Sequence, residues 1–167
     1  MVNKESRTPT RDKMVAEWHS PLSCGRKKLK NIVCTMEEFK LQPSDVPFLI
    51  KLIENPKFKF LNIFPGRVTL SNHDCIHIIL GRGLLPKDEA FVIGFTMGST
   101  NKMTRFKKWL FLFFIKYLYP KGYRFTKEEA EVFDYGLIAG SKCPTNLAKI
   151  SFRWWGGWTA SKIRKKL

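Results

Sequence analysis

Two histidines and two acids at close spacing are the residues of this sequence best suited to chemistry. His73 and His77 are four residues apart, Asp74 lies between them, and Glu89 comes after eleven further residues. Residues four apart share one face of an α-helix, so both imidazoles can reach a single ion. Ring nitrogens with carboxylate oxygens favour zinc and also suit iron(II) or manganese. The spacing therefore predicts a divalent-metal site with His73, Asp74, His77 and Glu89 as ligands.

The spacing leaves the roles of the two acids open. Asp74 can be a third ligand, or it can hold a histidine by a hydrogen bond from outside the ligand set. Glu89 can face the histidines if a tight turn at residues 81–83 folds the next helix back. Either carboxylate can ligate the ion or move a proton, so both are candidate catalytic residues. The alternative is an exposed His73, a hydrogen-bonded core His77 and two ordinary helix-start charges.

Capping and stop signals predict the elements that position these residues. Thr69 or Ser71 can begin the histidine helix, which ends at Gly81. The predicted helices cover residues 44–54, 69–80, 86–98 and 104–119, and a further one opens with a capping box at residues 126–129. Val132, Phe133, Leu137 and Ile138 are expected to face inward on that last helix. No segment alternates as a strand does, so we expect an all-α, single-domain helical bundle with short connections.

Charge is unevenly distributed along the chain. The formal net charge is +16, an excess that attracts nucleic acid, anionic lipid or phosphorylated small molecules. Eight bases and no acid lie between Glu89 and Glu128, and seven bases and no acid follow Asp134. This clustering indicates a docking face; the alternative is an ordinary solvated surface.

The N-terminal residues differ in character from the rest. Residues 1–40 are polar with a basic cluster, and we expect a basic, poorly ordered arm followed by a helical metal- and lipid-binding domain over 41–167.

The four cysteines form no C-x-x-C pair, which predicts reduced thiols in a cytoplasm-like compartment. The N-terminus carries no signal-peptide pattern. The longest apolar run has seven residues, whereas a spanning helix needs about 20, so no transmembrane helix is expected.

Aromatic residues are concentrated in two segments. The predicted helix 104–119 carries aromatic residues over most of its circumference, and residues 153–158 read RWWGGW. The helix is either a core helix whose lysines reach solvent, or an interfacial helix or wall of a prenyl-chain tunnel. The tryptophans either pack the C-terminus or sit at a membrane interface.

The metal motif resembles that of a known family. His73, Asp74 and His77, then eleven residues and Glu89, resemble the H-D-x-x-H, eleven residues, E signature of the coenzyme Q biosynthesis protein four family, and Gly81 matches its glycine. Residues 161–167 resemble the basic ending of that family, and the likeness covers roughly residues 44–167. The resemblance implies a helical fold, a divalent metal at these four residues and an isoprenoid-tailed ligand. It also implies peripheral membrane association, organisation of quinone-biosynthetic enzymes, and decarboxylation with hydroxylation of a ring carbon.

The leading prediction is thus a metal-dependent protein of quinone biosynthesis that lies in the cytoplasm, peripheral on a membrane. Its expected partners are an isoprenoid quinone precursor, an anionic membrane surface and other quinone-biosynthesis enzymes, with a homodimer left open. One alternative is a non-specific nucleic-acid-binding protein, and another is a non-catalytic scaffold with a structural metal. A third is an HD-type phosphohydrolase, for which His19 and Asp134 would have to supply the further ligands.

Overall fold

Six helices account for most of the described chain, which in this computed structural model comprises residues 22–38, 63–117 and 124–167. They are α1 (Leu29–Glu38), α2 (Leu70–Leu80), α3 (Pro86–Gly98), α4 (Arg105–Tyr117), α5 (Lys127–Ser141) and α6 (Ala160–Lys166). Short 3-10 helices cover Leu22–Arg26, Leu147–Lys149 and Phe152–Trp155. No β-strand occurs in these three ranges, where Lys28 and Thr159 form an isolated bridge. The predicted all-α fold is confirmed.

Local capping fixes both ends of α2, the helix that carries the histidines. The hydroxyl of Thr69 accepts a hydrogen bond from the backbone N–H of Asn72 at 3.4 Å, so Thr69 is the N-cap. Gly81 ends the helix in the left-handed region, with φ of 67°, a conformation that glycine adopts without the steric cost of a side chain. The stop at Gly81 and the start of α3 at Pro86 are as predicted.

Two hydrophobic clusters lie on either side of α3. The first combines α1, α2 and α6 and includes the fully buried Ile76 and Ile163. The second combines α4 and α5, with the rings of Phe111 and Phe133 stacked 4.9 Å apart. Because α3 contributes Val92 to the first cluster and other residues to the second, it is the helix that both halves share.

The packing of α3 against α5 depends on glycines in both helices. Each helix has two glycines four residues apart at the crossing, Gly94 and Gly98 on α3 and Gly136 and Gly140 on α5. At each position an added Cβ would overlap a carbonyl oxygen of the opposite helix. The two backbones therefore touch directly, which fixes the position of α3 and of the site residue it carries.

Residues 22–38 pack in the bundle, although the sequence placed them in a poorly ordered arm. Leu29 and Ile32, three residues apart on α1, are buried in the first cluster. The physical reason is that these two apolar residues share one helical face while the neighbouring bases point to solvent. The predicted helix 44–54 and residues 1–21 lie outside the described residues.

The aromatic helix α4 has a buried face and an exposed face. Phe111 and Ile115 are buried, whereas Phe106 is 67% exposed and Trp109 is 58% exposed. The core-helix alternative therefore holds for one face of α4 only. On α5, Phe133 is buried as predicted, but Ile138 is 57% exposed, because five residues at about 100° each turn it away from Phe133.

Long-range hydrogen bonds hold the two ends of α2. The guanidinium of Arg164 donates to the carbonyls of Ile78 and Ile79, each at 2.8 Å. The side chain of Asn72 donates to the Ile150 carbonyl at 2.8 Å and accepts from the Phe152 N–H at 3.2 Å. The basic C-terminal segment, residues 150–164, thus also positions the histidine helix.

Two further expectations concern disulfides and membrane spans. All four cysteines fall within the described residues, and no disulfide joins them. None of the helices in the described ranges has the length and apolar character needed to cross a bilayer.

Candidate metal centre

His73, His77 and Glu89 meet between α2 and the first turn of α3. The Nε2 atom of His73 lies 3.0 Å from Nε2 of His77 and 3.0 Å from Oε2 of Glu89. The Nε2 atom of His77 lies 3.3 Å from Oε1 of Glu89. One donor atom from each side chain falls within 4.8 Å of the others, so the turn after α2 brings Glu89 to the histidines as predicted.

These separations fit the coordination shell of a divalent ion. Bonds of about 2.0–2.1 Å to tetrahedral zinc place neighbouring ligand atoms about 3.3 Å apart. An octahedral ion with slightly longer bonds requires about 3.0 Å. The observed 3.0–3.3 Å spans both values. Three protein ligands leave a position open for an external ligand, whereas structural zinc sites use four protein ligands.

Burial of the three side chains is uneven. His77 is fully buried and His73 nearly so, while the Glu89 side chain keeps 27% of its surface exposed. Solvent therefore reaches the group from the Glu89 side. An external ligand would enter from that side, in contact with the carboxylate rather than with His77.

The orientation of His77 is fixed by the backbone of the following turn. Its Nδ1–H donates to the carbonyl of Gly83 at 2.7 Å. A carbonyl oxygen can only accept, so the neutral imidazole carries its proton on Nδ1 and turns the lone pair of Nε2 toward His73 and Glu89. Such an outer hydrogen bond orients metal-binding histidines. The sequence did not identify Gly83 in this role; its only signal was the glycine turn at residues 81–83.

The charges in the group favour a cation. Burial alone would lower the pKa of His73, but the carboxylate of Glu89 and, less strongly, that of Asp74 outweigh burial and raise it. Burial would raise the pKa of Glu89, but attraction to His77 and His73 in their protonated forms, together with the hydrogen bonds that these forms donate, outweighs burial and holds this pKa well below its usual range. Without metal, an imidazolium–carboxylate pair therefore forms where an ion would bind.

Asp74 lies outside this group of three donors. It is buried, but it follows His73 by one residue and so projects about 100° around the helix from it. The geometry thus does not place this predicted ligand with the other three. The charge of the Asp74 carboxylate nevertheless contributes to the raised pKa of His73.

The two alternative interpretations of the motif fare differently. The expectation of an exposed His73 is wrong, because His73 is buried. For the phosphohydrolase alternative, His19 lies outside the described residues. Asp134 on α5 accepts a hydrogen bond from the ammonium of Lys108 at 2.9 Å and is not one of the three clustered donors.

Comparison of the chain with protein-family models, with curated proteins and with solved structures found no match. The resemblance to the coenzyme Q biosynthesis protein four family rests on the quoted residues and stays a prediction.

Proposed function

We propose that His73, His77 and Glu89 bind one divalent metal ion, with zinc favoured and iron(II) or manganese as the other candidates, and that the centre acts on a prenylated aromatic acid. The observation that carries the metal site is the convergence of three side chains. The Nε2 atom of His73 lies 3.0 Å from Nε2 of His77 and 3.0 Å from Oε2 of Glu89, whose Oε1 lies 3.3 Å from Nε2 of His77. The substrate class rests on the resemblance of the motif to the quinone-biosynthesis family.

The residues around the centre have distinct roles in this proposal. A bound divalent ion would supply Lewis acidity toward a carboxylate or phenolate at the open position. His77, held by the Gly83 carbonyl, keeps its Nε2 lone pair directed into the site. Glu89 is the most exposed of the three side chains, so it is the ligand that contacts both the ion and an incoming substrate. Glu89 is therefore the residue to which we assign proton movement.

The exposed face of α4 supports the peripheral-membrane part of the proposal. Its aromatic stripe, defined as Phe106, Trp109, Phe113 and Tyr117, is exposed along the helix. Successive rings contact one another at centroid distances of 6.2, 5.6 and 4.9 Å. Such a continuous apolar surface suits a bilayer interface, from which a prenylated substrate would be drawn. Quinone-biosynthesis enzymes would be partners on that membrane.

A structural ion is the second candidate function, and one observation favours it. Two ligands come from α2 and one from α3, so an ion would join these helices across their turn. A scaffold could use this link without turnover.

Metal content of the purified full chain tests the site. We expect about one ion per chain in the wild type, and loss of that ion in His73→Ala/His77→Ala and in Glu89→Gln, measured by elemental analysis after chelator-free purification. Asp88→Asn is the matched control, because Asp88 is the adjacent acid and pairs with Arg82 at 3.8 Å. Wild-type protein without metal above background would contradict the proposal.

Turnover separates catalysis from scaffolding. With a prenylated hydroxybenzoate as probe, release of carbon dioxide by the wild type and its loss in a still-folded Glu89→Gln variant would support the enzyme. Metal-dependent thermal stability without any turnover would support the scaffold.

A further inference from the structure

Two basic segments that are more than 120 residues apart in the sequence lie side by side in the fold. The N–H groups of Leu29 and Lys30 donate to the carbonyls of Trp158 and Gly156, at 2.9 and 3.1 Å. In return, the N–H of Ala160 donates to the Lys27 carbonyl at 3.1 Å. The stretch before α1 and the start of α6 are thus joined through their backbones.

This pairing creates a basic patch that the sequence alone did not reveal. Its eight exposed members are Arg26, Lys27, Lys28, Lys30, Arg153, Lys162, Lys165 and Lys166. Within the part of the chain that the structure describes, none of them forms an ion pair. The nearest acids along α1, Glu37 and Glu38, follow Lys30 by about two helical turns. Among the described residues, the patch is therefore a concentration of positive charge without a paired acid.

One large aromatic side chain projects from the patch. Trp154 is 78% exposed, with the Arg153 guanidinium 5.8 Å from its ring centroid. By contrast, Trp155 and Trp158 stack on each other at 5.6 Å, and the ammonium of Lys162 covers Trp158 at 4.0 Å. Trp154 thus offers an indole face that the other two tryptophans do not.

The composition of the patch favours nucleic acid over a membrane. A bilayer-inserting surface needs several apolar side chains, and the aromatic stripe of α4 has them. In the patch, Trp154 is the one large exposed apolar residue among the described residues, and lysines and arginines surround it. Phosphates pair with such bases, and an exposed indole stacks on an unpaired base. The stripe is less suited to base stacking, because its rings already contact one another.

We propose that the basic patch binds single-stranded nucleic acid without sequence preference, with phosphates on the bases of the patch and one nucleobase stacked on Trp154. This activity is separate from the proposed metal centre and does not depend on it. The positive charge of the basic patch thereby has a proposed partner.

Fluorescence anisotropy with a labelled oligouridine tests the proposal on the full chain. We expect Lys27→Gln/Lys28→Gln/Lys30→Gln to weaken binding about ten-fold or more, and to reduce the slope of log affinity against log salt by about two, since each phosphate contact contributes about 0.7. Trp154→Ala should weaken binding about five-fold or more without changing that slope.

The matched control removes the same charge elsewhere. Lys102→Gln/Lys107→Gln/Lys116→Gln, on and before α4, should change affinity by less than about two-fold. Equal loss in both triple variants would overturn the patch, since net charge alone would then explain binding. Absence of oligouridine binding by the wild type at about 50 mM salt would overturn it as well. The proposal would also be overturned if Lys27→Gln/Lys28→Gln/Lys30→Gln lost binding to phosphatidylserine vesicles while its oligouridine affinity stayed unchanged. Binding by His73→Ala/His77→Ala should equal that of the wild type, which keeps this test distinct from that of the metal centre.

Discussion

A proton on His73 and a divalent ion compete for the same place. In the metal-free chain the raised pKa of His73 arises from Glu89 and Asp74 despite burial, so the imidazolium is stabilised by the fold. This stabilisation is fully present below the usual pKa of 6.5 and fades as the pH rises through the raised value. The lowered pKa of Glu89 has the opposite pH dependence. Its contribution to folding stability is present above pH 4.5 and is lost only as the pH falls into the acid range.

The first prediction concerns the pH dependence of metal affinity. Binding must release the His73 proton, so log affinity should rise by about one per pH unit below the raised pKa and level off above it. Competition with a chromophoric chelator between about pH 5.5 and 8.5 measures this. Asp74→Asn should still bind one ion per chain and should level off at a lower pH, because it removes one of the charges that raise the His73 pKa. Loss of the ion in Asp74→Asn would make Asp74 a ligand and contradict its position outside the donor group.

Sequence spacing was sufficient for part of the site. A separation of four on a helix places His73 and His77 on one face whatever the rest of the fold does, and the glycine turn returns Glu89 to them. The same rule does not settle Asp74, which is one residue from His73 but three residues from His77. Gly83 could not be identified, because its contribution is a carbonyl that every residue has, and only the path of the turn aims it at His77.

At the scale of elements, α3 and α5 approach so closely at their crossing that their backbones are in contact. The four glycines at the crossing remove the side chains that would separate the helices. Glycine in a helix interior normally costs about 1 kcal/mol relative to alanine. The packing that this close approach allows offsets the cost. It also fixes the position of α3, which carries Glu89 into the site.

We therefore predict that Gly94→Ala destabilises the protein by about 1–3 kcal/mol, opposite in sign to the gain expected from helix propensity. The new Cβ would overlap the Phe133 carbonyl, and a backbone atom cannot rotate away. Chemical denaturation measures the free energy of unfolding. Gly157→Ala is the control, because a Cβ there would have no neighbour within 4 Å, and its effect should stay within about 0.5 kcal/mol. Unchanged or increased stability of Gly94→Ala would show that the helices are not in contact at this point.

Helix ends were easier to predict than helix partners. Thr69, Gly81, Pro86 and the capping box of Thr126 with Glu129 act within a few residues of themselves, so their sequence signals are local. The inclusion of α1 in the core and the glycine crossing depend on segments distant in the chain. Ile138 shows the same limit, because its exposure is set by which face of α5 the rest of the bundle covers.

At the scale of the whole molecule, the aromatic stripe and the basic patch belong to elements that pack on opposite sides of α3. The aromatic stripe belongs to α4, which packs in the second cluster. The basic patch is built from the ends of the described chain, which pack in the first cluster with α2. The separation of the stripe from the patch suggests that the protein engages two different partners.

The two surfaces should respond to substitution independently. Phe106→Ser/Trp109→Ser removes the two most exposed rings of the stripe, and burial of a large apolar side chain contributes about 1.5–3 kcal/mol. We therefore expect vesicles of phosphatidylcholine and phosphatidylserine to bind this variant at least ten-fold more weakly in a sedimentation assay, while its oligouridine affinity stays within about two-fold of the wild type. Trp154→Ala is the reciprocal control, since it removes an exposed indole from the basic patch and should retain vesicle binding.

Vesicle affinity lowered equally by both variants would mean that exposed aromatic area alone governs adsorption, and it would contradict a dedicated membrane face on α4. Vesicle binding that survives in the stripe variant but disappears in Lys27→Gln/Lys28→Gln/Lys30→Gln would instead place the membrane contact on the basic patch.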